Sequence, residues 1–250
     1  MIASTVSNNS FSAIAEQIQR KPWFQLYPTT DRSKTKTLLQ RAEGSGAKVV
    51  VLTIDVPTLG NRKVHVRHMG HLSKDKQQFA NLEIMGPDVA VHDPSMTWDI
   101  IPWLRANTTM KIVLKGIMTA EDAQLALDYG ADGMIVSNHG GRQLESNLST
   151  IECLEEVATV VQGQIPLLLD GGIRRATDII KALALGADAV CVGRAFCYGL
   201  AAGGQVGVEK ALEILQTELL RNMQLTGVNC LKDLDSTYVK KGAVLAFSYR

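Results

Sequence analysis

The sequence predicts an α/β chain built on a parallel sheet, a TIM-type (β/α)8 barrel that lacks its N-terminal segment and first strand. Three observations carry that expectation. Short apolar runs such as Val49–Asp55, Gly133–Val136 and Pro166–Asp170 alternate with amphipathic stretches of helical length, the pattern of successive βα units. Two segments echo each other, Leu125 to Asp132 and Ala182 to Asp188, and each reads as a helix end, a glycine stop and entry into a strand. Finally, Ser4, Gln25, Tyr27, Thr53, Asp55, Lys115, Ser137, His139, Asp170 and Arg194 all fall at or just past the C-terminal ends of apolar runs. A barrel gathers those ends on one face. A doubly wound open sheet, the competing architecture, spreads them along an edge with only the switch point useful.

In chain order, Met1-Ile2-Ala3-Ser4 reads as the end of a strand whose beginning is absent. A helix follows around Ser12–Gln19, then a strand over Trp23–Tyr27. Thr29, Thr30 and Asp31 can cap a helix over Lys34–Glu43 that stops at Gly44 and Gly46. Val49–Asp55 is β-branched and apolar, as a strand buried on both faces requires, and Pro57 and Gly60 break it. Residues 61–95 show little periodicity and read as a lid-like loop. Beyond it come a helix near Trp98–Ala106 and the strand Ile112–Lys115. Thr119 with Asp122 opens the helix Ala120–Tyr129 in capping-box fashion, and Gly133–Val136 is the next strand. A helix near Thr150–Val161, the strand Pro166–Asp170, the helix Thr177–Leu185 and the strand Ala189–Val192 continue the alternation. A long amphipathic helix near Val208–Leu225 closes it, and residues 240–250 read as a tail. The count of strands is seven, the first one clipped, within a single domain over 1–250.

Bulk properties narrow the function. A chain of 250 residues with 46% hydrophobic and 20% charged content is an ordinary globule large enough for one barrel. A formal net charge of +1, with no block of Lys or Arg, argues against nucleic acid as a partner. Cys153, Cys191, Cys197 and Cys230 form no CxxC pair or zinc spacing, which suits a reducing compartment. No apolar run approaches the roughly 20 residues that span a bilayer. The expectation is a soluble intracellular protein, in the cytoplasm or, in a eukaryote, a peroxisome or mitochondrion.

The chemistry gathers in Ser137-Asn138-His139-Gly140-Gly141-Arg142-Gln143, where a buried strand spills into a loop. The imidazole of His139 exchanges protons near neutral pH, and the guanidinium of Arg142 can hold a carboxylate through two parallel hydrogen bonds. Asp55 can orient His139 and stabilise its protonated form. Arg62, just past Gly60, is a second candidate for a substrate carboxylate. Lys115 at a strand end can form a Schiff base or stabilise developing negative charge. The turns Asp170-Gly171-Gly172-Ile173-Arg174 and Gly193-Arg194 follow the last two strands, where barrels commonly bind phosphate. No Rossmann fingerprint is present, so the phosphate belongs to a mononucleotide or a phosphorylated substrate. His65, His68 and His71 lack carboxylate or cysteine companions, and no metal is expected.

Together these motifs resemble the FMN-dependent α-hydroxy acid oxidase/dehydrogenase family, which includes glycolate and lactate oxidases, mandelate dehydrogenase and the flavin domain of flavocytochrome b2. The resemblance runs from Ser4 to about Leu234. It implies FMN as cofactor and oxidation of a small 2-hydroxy acid to the 2-keto acid, with His139 as base supported by Asp55. It further implies that Arg142 and Arg62 bind the substrate carboxylate and Tyr27 the substrate's polar groups. Ser4, Gln25, Thr53, Lys115 and Ser137 would contact the flavin ring and ribityl chain. The ribityl and phosphate end would lie on the 170–174 turn and on Gly193 and Arg194. The electron acceptor is oxygen, a quinone or a cytochrome, and a homo-oligomer such as a tetramer is expected. The chain departs from the family in its missing upstream segment, at Val6 and over Lys63–Gly70. Two other readings stand beside this one: a non-catalytic fragment or isoform of such an enzyme, and another phosphate-binding FMN barrel such as an isomerase.

Overall fold

The computed structural model describes residues 1–61, 67, 79–83, 91–240 and 242. Its strands are β1 (Ile2–Ser4), β2 (Trp23–Leu26), β3 (Val49–Thr53), β4 (Lys111–Ile117), β5 (Gly133–Val136), β6 (Leu167–Leu169) and β7 (Ala189–Val190). Its helices are α1 (Phe11–Glu16), α2 (Arg32–Gly44), α3 (Ile100–Asn107), α4 (Ala120–Asp128), α5 (Thr150–Val161), α6 (Ala176–Ala184) and α7 (Arg194–Thr226). The seven strands pair in sequence order and all pairs are parallel. A doubly wound sheet reverses its order at a switch point. This one never does, so the sheet is that of a (β/α)8 barrel, with seven strands among the described residues. Among the described residues, β1 and β7 are each paired on one side only.

The two-residue period of a strand divides its side chains between two cores. Val50, Leu52, Ile112, Leu114, Met134, Val136, Leu167 and Leu169 face outward and pack against the helices. Leu26, Leu52, Leu114 and Leu169 are fully buried there, and burial of each is worth about 1.5–3 kcal/mol. Val51, Val113, Ile135 and Leu168 face inward and make a second core with Ile2, Trp23, Val49 and Cys191. That inner core is the floor of the barrel.

Capping residues set where the helices begin. Asp31 accepts from the Ser33 N–H at 2.8 Å and Thr119 from the Asp122 N–H at 3.2 Å; Ser149 and Glu152 make a reciprocal capping box. The repeated glycine–strand junction also has a structural reason. Asp132 and Asp188 each precede a strand and reach back with a carboxylate to the start of the preceding one. They accept from the N–H of Ile112 and of Leu167, both at 2.8 Å.

Most elements lie within a few residues of their expected bounds, but the last helix does not. It begins at Arg194, well before Val208, and is broken at Gly203 and Gly204, whose φ/ψ are non-helical. The two arms fold onto each other at Gly199 and Gly207, where a side chain on either would run into the other's carbonyl. Read locally, those glycines suggest a loop; in the fold they permit two helical arms to touch.

Of the lid-like 61–95 stretch, the described part is anchored rather than free. A 3-10 turn at Ala80–Leu82 buries Asn81. Its amide accepts from the Phe11 N–H at 2.8 Å and donates to the carbonyls of Ser4 and Thr5, both at 3.2 Å. Downstream, the buried Asp93 pairs with Arg32 at 3.4 Å. Arg62, His65, His68 and His71, and the tail beyond Lys240 except Gly242, lie outside the described residues. Among the described residues no helix is long and apolar enough to cross a membrane.

Candidate active site

Continuing the inward alternation past the apolar floor gives the polar layer at the barrel mouth. Each polar residue stands two positions after an inward apolar one: Ser4 after Ile2, Gln25 after Trp23, Thr53 after Val51, Lys115 after Val113, Ser137 after Ile135 and Asp170 after Leu168. These side chains are joined in two groups. Ser4 Oγ donates to Gln25 Oε1 at 2.8 Å, and Gln25 Nε2 donates to Thr53 Oγ1 at 2.9 Å. Lys115 Nζ donates to Ser137 Oγ at 2.7 Å and lies 3.2 Å from Asp170 Oδ2 and 3.9 Å from Asp55 Oδ2. A lysine between two largely buried carboxylates keeps its charge balanced in a place that water barely reaches.

Asp55 reaches this layer because Gly116 lets it. Gly116 sits in a register irregularity between β4 and β5, with φ +121°. A side chain there would come within 2.8 Å of Asp55 Cβ and 2.9 Å of its backbone nitrogen. Glycine is required at this point on both counts.

His139 lies across from Asp55, with Nδ1 3.0 Å from Asp55 Oδ1. Its backbone is left-handed at φ +56°, and Gly140 and Gly141 follow at +68° and +71°. A non-glycine residue held there costs about 1–3 kcal/mol, a strain that marks functional turns. The turn is closed by Asn138, whose Oδ1 accepts from the Gly141 N–H at 3.0 Å, and by Ser137 Oγ, which accepts from the His139 N–H at 3.2 Å. The side chains of His139 and Asp55 are 14% and 11% exposed, so the pair is accessible from the mouth yet mostly out of water. A second carboxylate oxygen, Asp55 Oδ2, is buried without a hydrogen-bond partner.

Beside this pair opens a cavity of about 350 Å³, lined in part by Asn138, Gly140, Gly171, Gly172, Lys181 and Arg194. Gly171 and Gly172 have φ of +88° and +77°. Nothing lies within 4 Å of where a Cβ of Gly172 or Gly193 would be, so both backbones are open to a ligand. Arg194 is exposed and lines the cavity, and Arg174, also exposed, follows on the 170–174 turn. Arg194 Nη2 donates to the carbonyl of Gly140 at 3.0 Å, tying the last turn to the histidine turn. Asp170 Oδ1 is buried and has no hydrogen-bond partner. A buried open acceptor on the same turn as the open glycine backbones, with Arg194 lining the cavity beside them, fits a ligand that carries hydroxyls and a phosphate. Ile173 also lines the cavity, while its side chain is buried in the outer core.

Among the described residues, the structure brings Asp55, Lys115, Ser137, His139 and Asp170 together, and separately Ser4, Gln25 and Thr53. Tyr27 and Arg142 are placed differently, and Arg62 lies outside the described residues. Tyr27, just past β2, is buried and packs its ring edge-on against His92, with centroids 4.8 Å apart. Arg142 is exposed on the histidine turn. Sequence reasoning passed over Gly116, Asn138 and Thr150, whose Oγ1 donates to the Asp170 carbonyl at 2.6 Å. Gly116 did carry a signal, since a glycine inside a strand pattern marks a bulge or a close approach. Cys191, two residues after Ala189, faces the same layer; burial first, and then the Asp170 carboxylate, push its thiol up to about 11.

Fold and site together define a parallel barrel-type sheet with a histidine–aspartate pair and open glycine turns at its mouth. Comparison with known proteins gives the family. Residues 1–241 match the FMN-dependent dehydrogenase family, and the chain belongs to it. It is 43% identical over 249 residues to the 2-hydroxyacid oxidase of Dictyostelium discoideum, covering 96% of this chain and 64% of that protein. It is 40% identical over 258 residues to L-lactate oxidase of Nostoc sp. and equally to human 2-hydroxyacid oxidase 1, each covering 96% of this chain and 70% of the relative. A crystal structure of mandelate oxidase with benzoyl-formic acid superposes with a TM-score of 0.85 at 41% identity, covering 94% of this chain and 68% of that one. The chain thus spans less than two thirds of the Dictyostelium protein's length.

Proposed function

We propose that this chain oxidises a small 2-hydroxy acid to the corresponding 2-keto acid with FMN as cofactor. The observation that carries the reading is the His139–Asp55 pair, 3.0 Å apart, at the mouth of a barrel whose adjoining cavity is lined by open glycine backbones. His139 takes the proton from the substrate, and Asp55 holds the ring through Nδ1 so that Nε2 is left for the substrate. Arg142, together with Arg62, holds the carboxylate, and Tyr27 contacts the substrate's polar groups. Lys115 keeps positive charge in the layer where negative charge develops. FMN, when bound, supplies the two-electron acceptor.

Ser4, Gln25, Thr53, Lys115 and Ser137 are assigned to the flavin ring and ribityl side. Asp170, whose Oδ1 has an open acceptor position, takes a ribityl hydroxyl. Gly171, Gly172, Ile173, Arg174, Gly193 and Arg194 form the phosphate end. Oxygen is the assigned electron acceptor, a choice supported by relatives named as oxidases.

A second reading is favoured by the outer edges of β1 and β7, which no strand of the described residues pairs: a flavin-binding chain that turns over only with further polypeptide along that seam. One experiment separates the two. The purified chain loaded with FMN is mixed without oxygen with glycolate, lactate or mandelate. Bleaching of the flavin and appearance of the 2-keto acid are expected. FMN binding with no bleaching by any of the three selects the second reading, and no FMN binding removes both.

A further inference from the structure

The turn that carries His139 ends in a side chain the proposed chemistry does not use, Gln143. Its amide spans three main-chain groups of a loop more than 80 residues away in sequence. Nε2 donates to the carbonyls of Asp55 at 3.1 Å and Thr58 at 2.8 Å, and Oε1 accepts from the Gly60 N–H at 3.2 Å. The two loops touch closely enough that a Cβ on Gly60 would lie 2.6 Å from the Arg142 carbonyl oxygen and 2.7 Å from Gln143 Cα. A primary amide is suited to this place because it offers two donors and one acceptor on a single plane. A carboxylate of the same shape offers no donor, and an aliphatic side chain offers nothing.

Asp55 is thereby held at both ends by one turn. Its carboxylate meets His139 Nδ1 at 3.0 Å, and its carbonyl meets Gln143 Nε2 at 3.1 Å. His139 and Gln143 are four residues apart, so the loop after β5 grips the residue after β3 at two points. We propose that Gln143 is a positioning residue that keeps Asp55 in register with His139. It reaches the reaction only through that pair, and the inference rests on the reading of His139 as the base. With the clamp gone, the Asp55 loop can drift while the sheet beneath it stays intact, and the imidazole loses its fixed tautomer and direction.

The test compares the FMN-loaded full chain with Gln143→Ala and Gln143→Glu. Gln143→Glu keeps the size of the side chain and the acceptor for Gly60, and removes both donors. Two readouts are taken. The first is the proton NMR signal of the His139 Nδ1–H, which does not depend on turnover. It is expected downfield and sharp in the unmodified chain, and broadened by exchange with water in both variants. The second is turnover: kcat is expected to fall about tenfold to hundredfold, the scale of a misplaced catalytic group, with KM changed much less and FMN affinity retained. If Gln143→Ala does not fold, Gln143→Glu carries the test alone. A wild-type Nδ1–H signal together with kcat within about twofold in the folded variants overturns the clamp. If the unmodified chain oxidises no 2-hydroxy acid, the functional reading falls, and the proton signal alone judges Gln143.

Discussion

His139 and Asp55 meet at 3.0 Å across 84 residues of sequence, and they do so because two backbone irregularities face each other. His139 is turned into the mouth by its left-handed φ, and Asp55 is admitted by the bulge at Gly116. Regular strand geometry at either site would separate the pair. The chemistry at the mouth therefore depends on backbone shape as much as on the two side chains.

Asp55→Asn keeps the size of the side chain and removes the charge that faces both His139 and Lys115. The rate of flavin reduction by substrate should fall by about 10²-fold or more, the scale of general acid–base assistance. FMN binding should be retained, because the proposed cofactor contacts lie on other residues. Rapid-mixing kinetics of the FMN-loaded variant measure both.

Gly116→Ala is expected to hurt stability and activity together. Its backbone angle is unfavourable for any L side chain, and the added methyl meets Asp55. A loss of about 1–3 kcal/mol is expected from the strain, read as a lower urea midpoint. Substitution at Gly172, where a Cβ meets nothing within 4 Å, brings no such clash and should leave the Asp55–His139 pair intact.

The Asp132 carboxylate gives a pH-dependent test of the fold. Burial raises its pKa, but the hydrogen bonds from the Ile112 N–H, Lys111 and Arg105 outweigh that and hold it below the usual carboxylate range. A carboxyl depressed in the folded state contributes stability that is present above its unfolded pKa and lost as the pH falls through the folded one. Asp132→Asn should thus cost about 1–3 kcal/mol at neutral pH. In urea titrations, the gap between variant and wild type should close on acidification below the carboxylate range.

Thiol reactivity should distinguish the inner face from the outer. Cys197 is exposed, whereas burial and the Asp170 carboxylate raise Cys191 to about 11. Alkylation at mildly alkaline pH should label Cys197 and spare Cys191, because the thiolate is the reactive form. Peptide mapping after brief treatment with iodoacetamide reads the difference.

Much of this architecture was legible in the sequence because its signals are local. Apolar runs of strand length bounded by glycine gave the seven strands, and the polar residues that end them gave the mouth. The Leu125–Asp132 and Ala182–Asp188 echo was visible, while its reason, a carboxylate on the neighbouring strand's N–H, needed coordinates. What stayed hidden depends on distant partners. The contacts of Asn81 with Ser4, Thr5 and Phe11 span 70 residues or more, and nothing near Asn81 announces them. Gly199 and Gly207 carry the same composition as a loop, and only their mutual contact reveals a helical hairpin. The family resemblance supplied a role for Tyr27 that local pattern alone does not contain.

The central claim is that His139 removes the substrate proton. Its most direct test follows the visible flavin band of the FMN-loaded chain and of His139→Gln, at equal FMN content, after anaerobic mixing with a 2-hydroxy acid that the unmodified chain oxidises. The expected result is rapid bleaching of the unmodified chain and a rate about 10²–10⁴-fold lower in the variant. Bleaching of His139→Gln at the unmodified rate would contradict the account.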